Sequence, residues 1–289
     1  MQIVTDSGTD VGLSPKELSQ LNIHIIPLVV TLEGKSFCEG VDIQTKEFYK
    51  MLEATNKLPF TSQPSAGDFA EVYRRLAKTD ADILSIHMSS GLSGTLNSAK
   101  AGAKLVPQAH VTIVDTKNLS YAAGWQVEAA ARAAKAGWHK EKILALLEHI
   151  RPFCDSIYTL KELKYLIHGG RISHMKGLIA SLLHIKPLIG VEHEKGTYVQ
   201  LGQVRTFTRA LKGLVDLIKK QYKPGSALRV QVVHANYPEG ASLLHELMDQ
   251  QFDCNWLPIG SISLVLGAHT GSSMVGVAYA PLHTFAEVP

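Results

Sequence analysis

Four hydroxyls, two glycines and little bulk single out Met88-Ser89-Ser90-Gly91-Leu92-Ser93-Gly94-Thr95 as a stretch that can do chemistry. Glycines let a backbone approach a ligand closely, and the free N–H groups at a helix start favour an anion. The stretch reads as a receiver for a small negative group such as a carboxylate, or equally as an ordinary strand-to-helix turn capped by Thr95. A second hydroxyl-rich segment, Phe60-Thr61-Ser62-Gln63-Pro64-Ser65, reads as a loop. Ser65 with Asp68 has capping-box spacing and is engaged by the backbone, which leaves Thr61 and Ser62 free. Two later turns carry polar groups. His168-Gly169-Gly170-Arg171-Ile172-Ser173 would project Arg171, into a site or simply into solvent. Gly267-Ala268-His269-Thr270-Gly271 would set a histidine at a strand end, as an anion donor or a plain turn residue.

The elements that position these groups alternate. A strand over residues 2 to 5 stops at Asp6-Ser7-Gly8-Thr9-Asp10, a polar turn at the carboxyl end of a strand, where α/β folds bind ligands; Asp6 and Ser7 either touch a site or serve the turn. Ser14-Pro15-Lys16-Glu17 opens a short helix with a capping box. A strand from Ile23 to Leu32, a turn at Glu33-Gly34 and a return over Lys35 to Phe37 make a hairpin. Helices follow from Thr45 and after Ser65, the latter with Phe69, Tyr73 and Leu76 at helical spacing. The strand Asp82 to His87 precedes the first hydroxyl loop and a helix from Asn97 to Val106 follows it. A strand at 110 to 115 and helices at 120 to 135 and 140 to 150 lead to Pro152. This alternation implies a largely parallel sheet covered on both faces.

The second half reads as a strand at 156 to 159, a short helix at 161 to 167 and a hairpin over 186 to 204. Helices at 208 to 221 and 238 to 251 follow, with strands at 228 to 234, 259 to 266 and 274 to 280. The expected fold class is therefore α/β with two α/β domains, residues 1 to 155 around a largely parallel sheet and residues 156 to 289 around a mixed sheet with helices. Gly177-Leu178-Ile179-Ala180-Ser181-Leu182-Leu183 is apolar nearly all round, which fits a core segment or the lining of an apolar cavity.

Bulk properties remove several function classes. A net charge of +3, with no basic arm or arginine run, gives no support to nucleic-acid binding. No stretch reaches the ~18 apolar residues of a membrane helix, so no stable membrane insertion is expected. Three isolated cysteines, Cys38, Cys154 and Cys254, suit a reducing cytoplasmic setting. The start Met1-Gln2-Ile3-Val4-Thr5-Asp6 lacks the pattern of a signal peptide, so a soluble intracellular protein is expected. Neither G-x-x-x-x-G-K-[ST] nor G-x-G-x-x-G occurs, and His245-Glu246 lacks the second histidine of H-E-x-x-H, so no nucleotide, cofactor or metal is expected. Gly91-Leu92-Ser93-Gly94 misses the spacing of a nucleophile elbow. A serine-dependent acyl hydrolase, with Ser93 as nucleophile and His269 or His87 as base, stays open as the rival function, as does a carrier of another carboxylate metabolite.

Asp6-Ser7, Thr61-Ser62-Gln63-Pro64-Ser65, Ser89-Ser90-Gly91-Leu92-Ser93-Gly94-Thr95, Gly169-Gly170-Arg171-Ile172-Ser173, Ile185-Lys186-Pro187-Leu188-Ile189 and Gly267-Ala268-His269-Thr270-Gly271 together resemble the DegV family in type and order. The resemblance spans almost the whole chain. It implies a two-domain protein that is not itself an enzyme, holds one long-chain fatty acid in a buried tunnel, and belongs to bacterial phospholipid metabolism. As the acyl-carrying subunit of a fatty acid kinase, such a protein presents the carboxylate to a separate ATP-dependent kinase subunit that forms acyl phosphate. By matching motifs, Thr61 and Ser93 would bind the carboxylate, with Thr95 in the same loop and Arg171 and His269 at its mouth. Leu178, Ile179 and Leu182 would line the tunnel, and Arg205 would meet the kinase. Where the family commonly continues the histidine loop as Gly-Pro-Gly, this chain has Gly271-Ser272-Ser273.

Overall fold

In the computed structural model, which describes residues 1–175 and 185–289, the parallel sheet is built from alternating apolar side chains. β1 (Gln2–Asp6) pairs in parallel with β2 (Ile23–Ile26) and β6 (Asp82–His87), and β6 with β7 (His110–Asp115), in the order β2-β1-β6-β7. Successive residues point to opposite faces. Ile3, Leu84 and Ile86 join a core with the helices Ser120–Lys135 and Lys140–Ile150, whereas Val4 and Ile83 join another with Ala66–Leu76 and Thr95–Lys104. The sheet is thus covered on both faces, as the alternation of strand and helix requires.

The helices begin where their caps dictate. Ser14 with Glu17, and Ser65 with Asp68, form complete capping boxes. Phe69, Tyr73 and Leu76 are buried along one stripe, each worth roughly 2 kcal/mol of removed apolar surface. Gly124 lets the Ala-rich helix 120–135 lie on the turn after β1, since a Cβ there would stand 2.4 Å from the Thr9 carbonyl oxygen.

The expected strand over 23 to 32 is two strands. Pro27 has no N–H to donate to a ladder, and the chain leaves the parallel sheet there. β3 (Val29–Leu32) and β4 (Lys35–Cys38) then form the expected hairpin, with positive φ at Glu33 and Gly34. The segment read as a loop at 60 to 65 supplies β5 (Phe60–Ser62), which pairs antiparallel with β3 and completes a three-stranded sheet. Its polar composition hid it, because a strand this short owes its place to its partner and not to propensity.

β8 (Asp155–Thr159), β9 (Lys186–Val191), β10 (Tyr198–Val204), β11 (Ala227–His234), β12 (Asp253–Trp256), β13 (Gly260–Ser261) and β14 (Val275–Pro281) form a mixed sheet, ordered β10-β9-β8-β14-β11-β12 with β13 beside β11. One face carries the helices Phe207–Gln221 and Pro238–Asp249. The other, through Tyr158, Ile189, Val233 and Ala278, shares a core with Val30 and Leu32 of the small sheet and with Tyr121 and Trp125.

Three expectations for this half need correction. The short helix is Lys164–His168, later than expected. β12 was not foreseen, because Asp253-Cys254-Asn255-Trp256 mixes poor and good strand formers. The largest change is at 259 to 266, read as a strand, where only β13 is extended and Leu264–Thr270 is a helix. Ser263 caps it by accepting the Leu266 N–H, and a short apolar run fits either element by periodicity.

Candidate functional site

Four segments far apart in sequence close around one cavity of 280 Å³, whose walls include Thr61, Ser93, Arg171 and His269. Thr61 is held on β5 opposite Val30. Ser93 lies in the loop between β6 and the helix at Thr95. Arg171 follows Gly170, whose left-handed φ of 74° lets the chain turn. His269 lies on the helix Leu264–Thr270, not at a strand end. Leu28, Met88, Leu92, Tyr198, Val265 and Leu266 supply the apolar walls.

The polar groups are tied to one another. Thr61 Oγ1 lies 2.8 Å from His269 Nε2. Among the described residues the buried His269 Nδ1 has no hydrogen-bond partner, and its ring packs on Gly169, where a Cβ would come within 2.0 Å of Nδ1. Burial first, then the positive charge of Arg171 and the neighbouring His168, pushes the His269 pKa down to about 3. The imidazole is therefore neutral and acts as a hydrogen-bonding group. Arg171 donates from Nη1 to the Gly169 carbonyl at 2.6 Å, which fixes a cation at the cavity wall. Among these groups a carboxylate would meet two hydroxyls and a guanidinium, the charge-assisted donors such an anion needs when it leaves water.

The hydroxyl loop does not act as a unit. Ser89 donates to the Gly196 carbonyl at 2.8 Å and Ser90 to Asp115 at 2.5 Å, both structural contacts. Ser93 lines the cavity, and its hydroxyl lies 2.8 Å from that of Thr95. Thr95 is fully buried and stands behind Ser93, outside the cavity wall. Nor does it cap its helix, because Gly94 holds that position. Asp6 does not line the cavity either, its carboxylate bonded to Gly8 N, His87 Nδ1 and the amide of the wall residue Met88. Ser7 bonds Glu39 and the Leu28 amide.

A second, narrow cavity of 20 Å³ adjoins the first, sharing Tyr198 and Leu266 with it. Its other walls are largely apolar, among them Leu119, Tyr158, Val233, Met274 and Ala278. No local sequence signal marked Tyr198 or these residues, because tertiary packing alone brings them together. Leu178, Ile179 and Leu182 lie outside the described residues. Arg205 is exposed between β10 and the Thr206-capped helix, and it is not among the residues lining the cavity. Ser272 and Ser273, the departure from the common loop, bond Asn236 N and Lys161 N, and His269 still reaches the cavity. Among the described residues no group of three or more His, Cys, Asp or Glu side chains is placed to hold a metal ion, and no helix is long and apolar enough to cross a membrane.

A family model for the DegV family matches residues 1–282. The chain belongs to the DegV family. A DegV domain-containing protein of Staphylococcus aureus, SA1258, is 36% identical over 275 residues, which cover 95% of this chain and 96% of that protein. The structure of a DegV family protein from Thermus thermophilus, described by its fatty acid binding, superposes with a TM-score of 0.87 at 27% identity, covering 97% of this chain and 99% of that one. DegV of Bacillus subtilis, described as a fatty acid binding protein, gives a TM-score of 0.84 at 30% identity over 96% and 98% of the two chains. These DegV neighbours share the α/β architecture and are described as fatty-acid binders.

Proposed function

We propose that this DegV chain binds one long-chain fatty acid, with its carboxylate among Thr61, Ser93, Arg171 and His269 and Thr95 holding Ser93 from behind. The observation that carries the reading is the single cavity onto which those four side chains converge beside an apolar chamber. It agrees with what the Thermus and Bacillus relatives bind. The acyl chain would leave the head cavity between Tyr198 and Leu266, with Leu178, Ile179 and Leu182 as further lining. Burial of about 16 carbons would contribute on the order of 10 kcal/mol before ordering costs. The division at 155/156 is proposed as the domain boundary, with the head cavity between the two parts.

The finer proposal is that the bound carboxylate is presented to a separate ATP-dependent kinase subunit, which makes acyl phosphate, with Arg205 as a contact for that partner. Hydroxyl donors orient the acid while leaving its oxygen able to attack a phosphoryl group, and the partner would bring ATP and metal. The hydrolase reading gains nothing from the geometry. Ser93 bonds Thr95 and His269 bonds Thr61, so Ser93 has no histidine partner, and the Ser85–His87–Asp6 chain, the one Ser–His contact among these groups, is fully buried and does not line the cavity.

Organic extraction of protein purified from its native host, followed by mass spectrometry, tests the first proposal. Stoichiometric fatty acid is expected, and a lipid-free chain that takes up neither oleate nor palmitate overturns it. Incubating the loaded protein with ATP and the host's kinase subunit tests the second, with acyl phosphate trapped as its hydroxamate. Its absence, with binding intact, leaves a carrier alone.

A further inference from the structure

Glu39 stands outside the cavity but is bonded to two of its walls. One carboxylate oxygen accepts the Leu264 N–H, the first amide of the helix that carries Val265, Leu266 and His269. The other accepts the Ser7 hydroxyl at 2.7 Å, and Ser7 Oγ in turn accepts the Leu28 amide at 3.0 Å. Leu28, Val265, Leu266 and His269 all line the head cavity. The wall contributed by the segment after Pro27 and the wall contributed by the histidine helix therefore meet at one carboxylate.

We infer that Glu39 is a positioning residue for the ligand site, fastening the Leu28 wall to the helix that holds His269, and that its charge tunes how well an anion is seated there. The inference rests on the fatty-acid reading of the cavity.

The surroundings give the charge its leverage. Asp6 at the end of β1, Asp10 from the turn after it and the phenol of Tyr49 from the helix Thr45–Ala54 face the carboxylate. From the histidine helix it meets only the amides of Leu264 and Val265. Burial, opposed by the bonds from Ser7 and Leu264, raises its pKa to about 7. The Asp10 pKa is also raised well above the usual carboxylate range, chiefly by burial. Protonated Glu39 can keep the fastening, its O–H donating to Ser7 Oγ while the other oxygen still accepts from Leu264. Ionised Glu39 keeps it too, but adds a negative charge one short helix away from His269, about 7–8 Å along the axis at 1.5 Å per residue. A bound carboxylate is repelled by that charge, and at such a distance the effect amounts to about threefold where water screens the pair and up to about fortyfold through protein. Affinity should therefore fall as pH rises through neutrality.

The test is titration of a fluorescent conjugated polyene fatty acid into wild type, Glu39→Gln and Glu39→Ala at pH 6 and pH 8. Glutamine keeps an acceptor for Leu264 and a donor for Ser7 without the charge. It should match wild type at pH 6 and bind about fivefold more tightly than wild type at pH 8. Ionisation of the free probe acts equally on both chains and cancels in that ratio. Alanine, which releases both walls and also removes the charge, should weaken binding about tenfold at pH 6 and only about twofold against wild type at pH 8. Ser7→Ala, which cuts only the link to Leu28, should weaken binding less and keep the wild-type pH dependence. A Gln variant that tracks wild type at both pH values, or an Ala variant with unchanged affinity at pH 6, overturns the inference. If Glu39→Ala does not fold, the ratio of Gln to wild type decides alone. Wild type that binds no fatty acid at either pH instead overturns the ligand assignment itself.

Discussion

The Thr61 hydroxyl and His269 Nε2 lie 2.8 Å apart although 208 residues separate them in the chain. The imidazole is neutral, so Nε2–H can donate to Thr61 Oγ1 and free the threonine proton for a ligand oxygen. Thr61→Val removes that donor and leaves the second ring nitrogen of His269 unpaired. Fatty-acid affinity should fall by about tenfold, the loss of one to two kcal/mol typical of a broken buried hydrogen bond. A double-mutant cycle with His269→Gln should show marked non-additivity. Two fully additive losses, measured by calorimetry, would mean the pair does not act together.

Stability should respond to pH through two groups of opposite sign. The folded chain holds His269 at about 3 against 6.5 for an ordinary histidine. Between those values the unfolded chain binds a proton that the folded chain refuses, so stability falls as pH drops through that window, by on the order of 5 kcal/mol. Glu39 is raised from 4.5 to about 7. Here the folded state binds the extra proton, so stability is full below pH 4.5 and declines as pH rises towards 7, by on the order of 3 kcal/mol. Urea unfolding from pH 4 to 8 should show His269→Gln flattening the acid limb and Glu39→Gln raising stability at pH 8. Identical pH profiles for all three chains would rule out both assignments.

Three glycines should differ by what a methyl group meets. At Gly124 the obstacles are the Thr9 and Asp10 carbonyl oxygens at 2.4 and 2.5 Å. Backbone cannot step aside, so Gly124→Ala should cost about 3 kcal/mol or more. At Gly169, whose φ of −71° suits any residue, the obstacle is the His269 ring. Gly169→Ala should displace the imidazole and weaken fatty-acid binding more than it lowers the melting temperature. At Gly94 only the Gln63 side chain is in the way, and Gly94→Ala should be mild in both assays. Equal melting temperatures for Gly124→Ala and Gly94→Ala would contradict this ranking.

The parallel sheet was legible because its signals are local. The capping boxes at Ser14 and Ser65, and the stripe Phe69, Tyr73 and Leu76, each specify their element within a few residues. The polar members of the site were legible for a different reason, since Thr61, Ser93, Arg171 and His269 stand in motifs whose order resembles a family. What periodicity could not settle was Leu264-Val265-Leu266, a run as suitable for a strand as for the helix that Ser263 caps. Tyr198, Leu28 and Glu39 carried no mark at all, because their roles exist only once three sheets are packed. Thr95 illustrates the opposite case: it sits beside the right residue in sequence, yet its side chain is behind the wall.

Arg205 offers a test of presentation that leaves the cavity untouched. It is exposed at the end of β10 and is not among the residues lining the cavity, so Arg205→Glu should bind fatty acid as wild type does. If the kinase subunit docks there, acyl phosphate formation at limiting protein should drop by about tenfold or more, as for a reversed charge at an interface, and raising the protein concentration should restore much of it. An unchanged rate would place the partner elsewhere.

The narrow chamber beyond Tyr198 and Leu266 makes chain length the most direct readout of the acyl path. Ala278 is buried on β14 and lines that chamber, which is only 20 Å³ as it stands. An acyl chain entering it must widen it by moving side chains such as Met274, whose flexible thioether adapts easily. Ala278→Phe would fill the space with a rigid ring. Each methylene kept out of an apolar site forfeits about 0.8 kcal/mol, so excluding three or four of them should weaken palmitate by about a hundredfold while leaving an eight-carbon acid nearly unaffected. Competition against a fluorescent fatty acid across chain lengths of eight to eighteen carbons would show the optimum move to shorter acids. If the variant folds and the optimum stays where wild type has it, the chain runs elsewhere, and the Tyr198–Leu266 gap is not the exit from the head cavity.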